Sequence, residues 1–175
     1  RLVAETATTK GQIELIDEPV VRRMMAARLR SLAQAILVLD KTIRQRIAAS
    51  GTLARKAALL SRVKAVGPVL TATLPADLPA LGNITSKAIA SLVGVAPHAR
   101  QSGARDRPGR CLGGRKQVRD VLYMAALSAI KAGDCDLEPF YRRLRHAGKP
   151  FKLAIIAAMR KFITKLNAII RDTFY

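Results

Sequence analysis

The sequence predicts an all-α protein: a long coiled-coil-type helix followed by a compact helical domain that carries a helix-hairpin-helix element and an Arg/Gly-rich loop. Three observations lead there. Apolar residues recur at spacings of three and four over most of the chain, and no strand-helix alternation of the βαβ kind appears. Half of the 175 residues are apolar, enough for a packed core rather than a disordered polycation. No internal repeat is visible.

Residues 1–18 read as a polar leader, without a period over the first eleven. From Pro19 the pattern changes. Leu29, Leu32, Ile36, Leu39, Ile43 and Ile47 form an apolar seam, with Arg22, Arg30, Lys41, Arg44 and Arg46 on the remaining faces. Pro19 suits a first helical turn, where its missing N–H is not needed. Residues 19–58 are therefore expected to form a long dimerising helix, about 60 Å in length if unbroken. So long and one-sided a helix needs a partner, from the same chain or another copy. Gly51 either interrupts it or weakens it by about 1 kcal/mol.

The helical domain is expected over residues 59–175. In "LLSRVKAVGPVLTATLPADLP" (59–79) a helix leads to Gly67, and Pro68 opens the next. Gly67 lets the backbone approach a phosphate, and the free amides of the following helix N-terminus accept an anion. This is the helix-hairpin-helix pattern, with Ala65 where many versions carry glycine; an ordinary helical turn fits the same residues. A short helix is predicted over Ser86–Val93, capped by Thr85 and stopped by Gly94. After the Arg/Gly loop come three more helices. Residues 116–132 present Val118, Val121, Leu122, Ala125 and Ala129; a helix near 137–147 carries Arg142, Arg143 and Arg145; residues 151–172 present Phe151, Ile155, Ala158, Phe162, Leu166 and Ile169. Gly133 and Gly148 mark the ends of the first two.

Charge narrows the partners. Lys plus Arg is 31 against 12 acids, a net charge of +19. Such a surplus opposes compaction unless a polyanion neutralises it, and it exceeds what solubility needs. Nucleic acid is the natural counter-charge, with salt-dependent binding through counterion release. Trp is absent and aromatics are scarce, so base stacking on aromatic platforms is not the expected mode. The longest apolar runs are too short to span a bilayer, and a membrane-surface role is disfavoured by core-like seams without interfacial Trp. Cys111 and Cys135 form no zinc or disulfide pattern, which fits a reducing, cytoplasmic setting. Asp134, Asp136 and Glu138 cluster before and within a first helical turn, where they complement the helix dipole; no metal site is assigned. His98 and His146 are read as incidental.

The segment "GVAPHARQSGARDRPGRCLGGR" (94–115) holds five arginines and five glycines, with Ser102 in its middle. Surrounding arginines would lower a serine pKa and stabilise charge building on phosphorus. Ser-Gly is equally a turn dipeptide.

The ordered motifs "AVGPVLTATL", "LVGVAP", "QSG", "GGR", "VRDVLYMAAL", "FYRRLRHAGKP" and "MRKFITKLNAIIR" resemble the C-terminal transposase domain of the DEDD-type insertion-sequence transposases, the family of the Piv DNA invertases and the RNA-guided bridge recombinases. The resemblance covers residues 20–175. It implies DNA transposition or site-specific recombination with Ser102 as nucleophile, forming a phosphoserine link. It makes Arg100, Arg105, Arg107 and Arg110 a phosphate cradle around Ser102, with Arg115 and Arg119 either contacting DNA or orienting the loop; Gly67, Lys116 and Lys149 are further candidate nucleic-acid contacts, and a solvated face fits Lys149 as well. Residues 1–18 would be the remnant of a link to an upstream RuvC-like domain holding four metal-binding carboxylates. Magnesium would be bound there, leaving this chain without a cofactor and silent alone. DNA, a guide RNA and further copies of the chain are the expected partners, in a bacterial cytoplasm and near the nucleoid. Gln101 stands where relatives carry Asp. The alternative from another class is a non-enzymatic nucleic-acid-binding helix-hairpin-helix module, with Ser102 as a turn residue.

Overall fold

The structure is a computed structural model that describes residues 1–102 and 105–174; for residues 99–102, 105–108 and 110 the description stops at the backbone. It contains eight helices and one two-stranded antiparallel ribbon among the described residues. The all-α class holds.

The first fifty residues form one compact unit, and a second begins at Gly51. In the first, α1 (Leu2–Glu14) occupies part of the expected leader and packs along α2 (Pro19–Ala49). Thr9 is buried, and Arg28 reaches Glu5 at 2.6 Å. Pro19 stands in the first turn of α2, after Glu18, whose side chain accepts from the Val20 amide. Leu29, Leu32, Ile36 and Ile47 of the predicted seam are half-buried, whereas Leu39 and Ile43 are exposed. The helical run breaks at Ser50, whose extended backbone ends α2, and α3 (Gly51–Ser61) follows at once.

The second unit is built around α8 (Phe151–Phe174), which packs against α3, α5 (Ser86–Val93), α6 (Lys116–Lys131) and α7 (Leu137–His146); α4 (Pro68–Asp77) lies between α3 and α6. Leu60, Leu70, Leu74, Leu78, Ile89, Leu122, Ile155 and Phe162 form its centre, each at most 2 % exposed. Burying a side chain of this size stabilises by about 1.5–3 kcal/mol. Along α8, Ile155, Ala158, Phe162 and Leu166 are buried as their spacing predicts. Two ends of that stripe differ. Phe151 is exposed in the first residue of the helix and meets Tyr141 edge-on, and Ile170 rather than Ile169 closes the stripe.

Local signals placed the helix ends. Thr85 accepts the Ala88 amide at 3.2 Å to start α5, and Gly94 ends it at φ 81°. Gly133 and Gly148 likewise take positive φ just after α6 and α7. Between α5 and α6 the expected loop contains a ribbon instead: β1 (Pro97–Ser102) pairs with β2 (Arg105–Cys111). Its register pairs Pro97 with Cys111, Arg100 with Arg107 and Ser102 with Arg105. The register shifts between His98 and Arg100, which gives β2 one extra residue over that interval, where Pro108 and Gly109 stand. Proline withholds a ladder donor and glycine permits the close approach, so both belong at such a bulge.

Candidate nucleic-acid interface

A short turn that holds Ala65 and Gly67 joins α3 to α4. Gly67 is the N-cap of α4 with no side-chain cap, and Pro68 stands in the first turn. Ala65 takes φ 68°, the left-handed conformation that glycine adopts without cost.

The ribbon gathers most of the remaining candidates. Arg100, Arg105, Arg107 and Arg110 all lie on it, and Ser102 stands directly opposite Arg105. The side chains of these five residues, and the whole of Gly103 from the "QSG" motif, lie outside the described residues. Gln101 pairs with Asp106, so an acid sits one register position from the serine on the opposite strand. Among the described residues the two strands make their extensive contacts with each other rather than with a helix.

The ribbon is rooted in a close backbone contact. Gly94 precedes β1 and Gly114 follows β2, both at positive φ (81° and 73°). A Cβ on Gly114 would lie 2.5 Å from the Gly94 Cα and 2.5 Å from the Val93 carbonyl carbon, closer than real Cβ contacts come. The Arg115 amide donates to the Leu92 carbonyl at 3.0 Å, tying the same two segments. Arg119, half-buried one turn into α6, completes the arrangement. Its Nη1 donates to the Gly113 carbonyl at 2.6 Å and to the Val93 carbonyl at 3.3 Å. The arginine expected either to contact DNA or to orient the loop thus has its Nη1 on the backbone at both feet of the ribbon. A Cβ on Gly94 would collide with that nitrogen.

Cys111, at the end of β2, is half-buried; burial pushes its thiol up, against the opposing charges of Arg119 and Arg160. Arg160 is a cation near the ribbon that sequence reasoning did not single out. Arg115 and Lys116 line an open cleft of about 530 Å³ with Ala76, Asp77 and Pro79, between the end of α4 and the start of α6. Lys116 also reaches Asp120 at 2.6 Å, an exposed pair worth little to stability. Lys149 is exposed in the turn after α7, where its carbonyl accepts from Arg145 at 2.7 Å. No hydrogen bond or ion pair among the described residues ties Gly67 or Lys149 to the ribbon.

The acidic cluster is engaged by the protein itself. Asp134 Oδ1 accepts the amides of Asp136 (3.0 Å) and Leu137 (2.9 Å) at the start of α7. Asp136 pairs with Lys165, and Glu138 meets Arg142 at 2.5 Å. Asp134, Cys135 and Asp136 bring their ligand atoms within 4.8 Å of one another, yet the carboxylates cap a helix and bind a lysine.

Residues 57–142 match the transposase family IS116/IS110/IS902. The match begins within α3 and runs through the hairpin, the ribbon and its root into α7. The chain carries a transposase domain of this family. It is 34 % identical over 150 residues to the pilin gene-inverting protein of Moraxella bovis, covering 82 % of this chain and 46 % of that protein. Identity to the pilin gene-inverting protein of Moraxella lacunata is 33 % over the same length and shares. The chain thus spans about half the length of the curated relatives it matches. Within the transposase domain, sequence reading gave the glycine pair no mechanism and left Arg119 between contacting DNA and orienting the loop. The "GGR" motif was visible, but its meaning needed the opposing Gly94. No helix among the described residues is long and apolar enough to cross a membrane.

Proposed function

We propose that this transposase domain supplies the nucleophile, Ser102, for DNA strand exchange in transposition or site-specific recombination, and is inactive without a RuvC-like domain. The observation that supports it best is the register of the ribbon: Ser102 stands opposite Arg105 on a paired element that also carries Arg100, Arg107 and Arg110. In the step itself, Ser102 Oγ bonds to the phosphorus of a phosphodiester while the bond from phosphorus to one deoxyribose oxygen breaks. The serine loses its proton and the departing oxygen gains one. Guanidinium groups favour the transition state by stabilising the charge that builds on the phosphoryl oxygens. The names of the Moraxella relatives, gene-inverting proteins, agree with a rearrangement of this class.

The rest of the reading follows from the family. DNA is the substrate and a guide RNA a partner; the exposed residues of α2, Leu39 and Ile43 among them, suit pairing with a second copy. Metal-holding carboxylates belong to a RuvC-like domain of the complete gene product, with magnesium as the metal. The engaged carboxylates of Asp134, Asp136 and Glu138 favour that division of labour. The α3–α4 hairpin, with Gly67 at the start of α4, serves as a phosphate contact outside the reacting centre.

The test uses the complete gene product, wild type and Ser102→Ala, on labelled donor and target DNA with the associated RNA. Products are separated under denaturing conditions and probed for a covalent protein–DNA adduct. An adduct in the wild type that vanishes in Ser102→Ala, with DNA binding retained, is the expected result. Recombination by Ser102→Ala would sink the assignment, and a wild type that binds DNA tightly yet never forms an adduct would favour a nucleic-acid-binding module.

A further inference from the structure

We infer that Arg119 is a positioning residue for the serine-bearing ribbon, acting with the Gly94–Gly114 contact as a clasp that fixes both feet of the hairpin; the inference rests on the reading of Ser102 as nucleophile. A β-ribbon that packs on itself rather than on a helix owes its orientation to its ends. Here the ends are unusually constrained. Gly94 and Gly114 lie backbone to backbone, each in a conformation that disfavours any side chain and at a distance that forbids one. The Arg115 amide bridges to Leu92 across the same gap.

Arg119 adds the third tie, and its chemistry explains why an arginine stands there. The Val93 carbonyl is the last of α5, one of the acceptors that a helix C-terminus leaves without an intrahelical partner. The Gly113 carbonyl belongs to the glycine pair that turns the chain from β2 into α6. Nη1 donates to both, so one cation joins the end of one helix to the start of another, with the ribbon emerging between them. A guanidinium suits this because it places several donors in a fixed plane and stays charged beside the negative end of a helix dipole.

The consequence for the reaction is geometric. Ser102 lies eight residues beyond Gly94 and eleven before Gly113, so a small rotation at the feet becomes a larger displacement at the serine. A misplacement of about 1 Å at a reacting atom can cost about 10²-fold in rate. Loss of the clasp should therefore slow the covalent step and leave DNA affinity nearly unchanged, because the ribbon arginines remain.

The experiment compares Arg119→Gln, Gly114→Ala and the double variant of the complete gene product. Three readouts are taken: the rate of covalent adduct formation, the salt dependence of DNA binding, and amide hydrogen exchange over residues 97–111. Gly114→Ala breaks the clasp without touching a charge, which separates positioning from phosphate contact. Both single variants should slow adduct formation by about 10-fold to 10²-fold and speed exchange in the ribbon, with amides of α8 still protected. The double variant should be no worse than the more damaged single, since both remove one device. The logarithmic salt slope should stay at the wild-type value in each. If Arg119→Gln lowers that slope by about one and leaves ribbon exchange unchanged, Arg119 is a phosphate contact and the clasp is overturned. A wild type that forms no Ser102-dependent adduct defeats the nucleophile reading alone. Faster ribbon exchange in both variants would still uphold the clasp, and unchanged exchange would defeat it.

Discussion

Asn167 and Gly82, eighty-five residues apart, are joined by a buried hydrogen bond: the Gly82 amide donates to Asn167 Oδ1 at 2.8 Å. The same side chain donates from Nδ2 to the Ile84 carbonyl at 2.8 Å, so one amide group satisfies both polarities of the turn that precedes α5. Asn167 is 1 % exposed in the middle of α8. Gly82 is pressed there so tightly that a Cβ would meet Ile170 Cγ2 at 2.5 Å.

Replacing Asn167 by Leu leaves a buried donor and an acceptor without partners. The expected loss is about 2–6 kcal/mol, since each unsatisfied group costs about 1–3 kcal/mol. Urea unfolding followed by circular dichroism would read this as a lower midpoint at unchanged slope. A midpoint equal to wild type would show that the turn is held by packing alone.

Ala65→Gly should stabilise the second unit slightly. Relief of the left-handed alanine is worth about 1–2 kcal/mol, offset by about 0.4–1 kcal/mol of added freedom in the unfolded chain. Ala65→Val should destabilise instead, because a β-branched residue resists positive φ most. The order of thermal midpoints, Gly above Ala above Val, is the check.

The Asp136–Lys165 pair gives a defined pH dependence. A hydrogen bond from Lys165, aided by its charge, holds the Asp136 carboxyl below its ordinary 3.8, and the same hydrogen bond holds Lys165 above its ordinary 10.5. The folded state then binds the acid's proton less tightly than the unfolded state. This contribution is full above pH 3.8 and is lost as pH falls through the depressed folded value. The lysine's contribution is full below pH 10.5 and is lost as pH rises through its raised value. Asp136→Asn and Lys165→Met should each flatten the stability profile at both ends, because each removes the partner that shifts the other. Denaturant midpoints at pH 3 to 6 would test the acid end.

Binding of this chain to duplex DNA should weaken steeply with salt. Converting Arg105, Arg107 and Arg110 to Gln together should lower the logarithmic salt slope by about 2–3, as three phosphate contacts are removed. Fluorescence anisotropy across a salt series would measure it. An unchanged slope would place the DNA path elsewhere, with the α6 cleft and Lys149 the next positions to test.

The helical ends were legible because their causes are local. Thr85 caps α5 through an amide three residues away, and Gly94, Gly133 and Gly148 adopt the positive φ that follows a helix. Helix α1 was not legible: its apolar positions follow no clear period, and it is held by packing along α2 through Thr9 and Glu5. The ribbon escaped for a related reason. Its segment lacks a two-residue period and carries Pro108 and Gly109, which local propensity assigns to loops.

Charge, the apolar faces of α6 and α8, and the order of motifs were determined by the sequence alone, since composition, spacing and capping act within a few residues. Tertiary structure decided that β1 and β2 pair, and which carbonyls Arg119 bonds. Pairing needs the two feet held together, and the Val93 carbonyl that Arg119 bonds lies twenty-six residues earlier in the chain. Only packing of α5 and α6 within the same helical unit brings Gly94 against Gly114, because backbone contact between two glycines leaves no trace in the period or polarity of either segment.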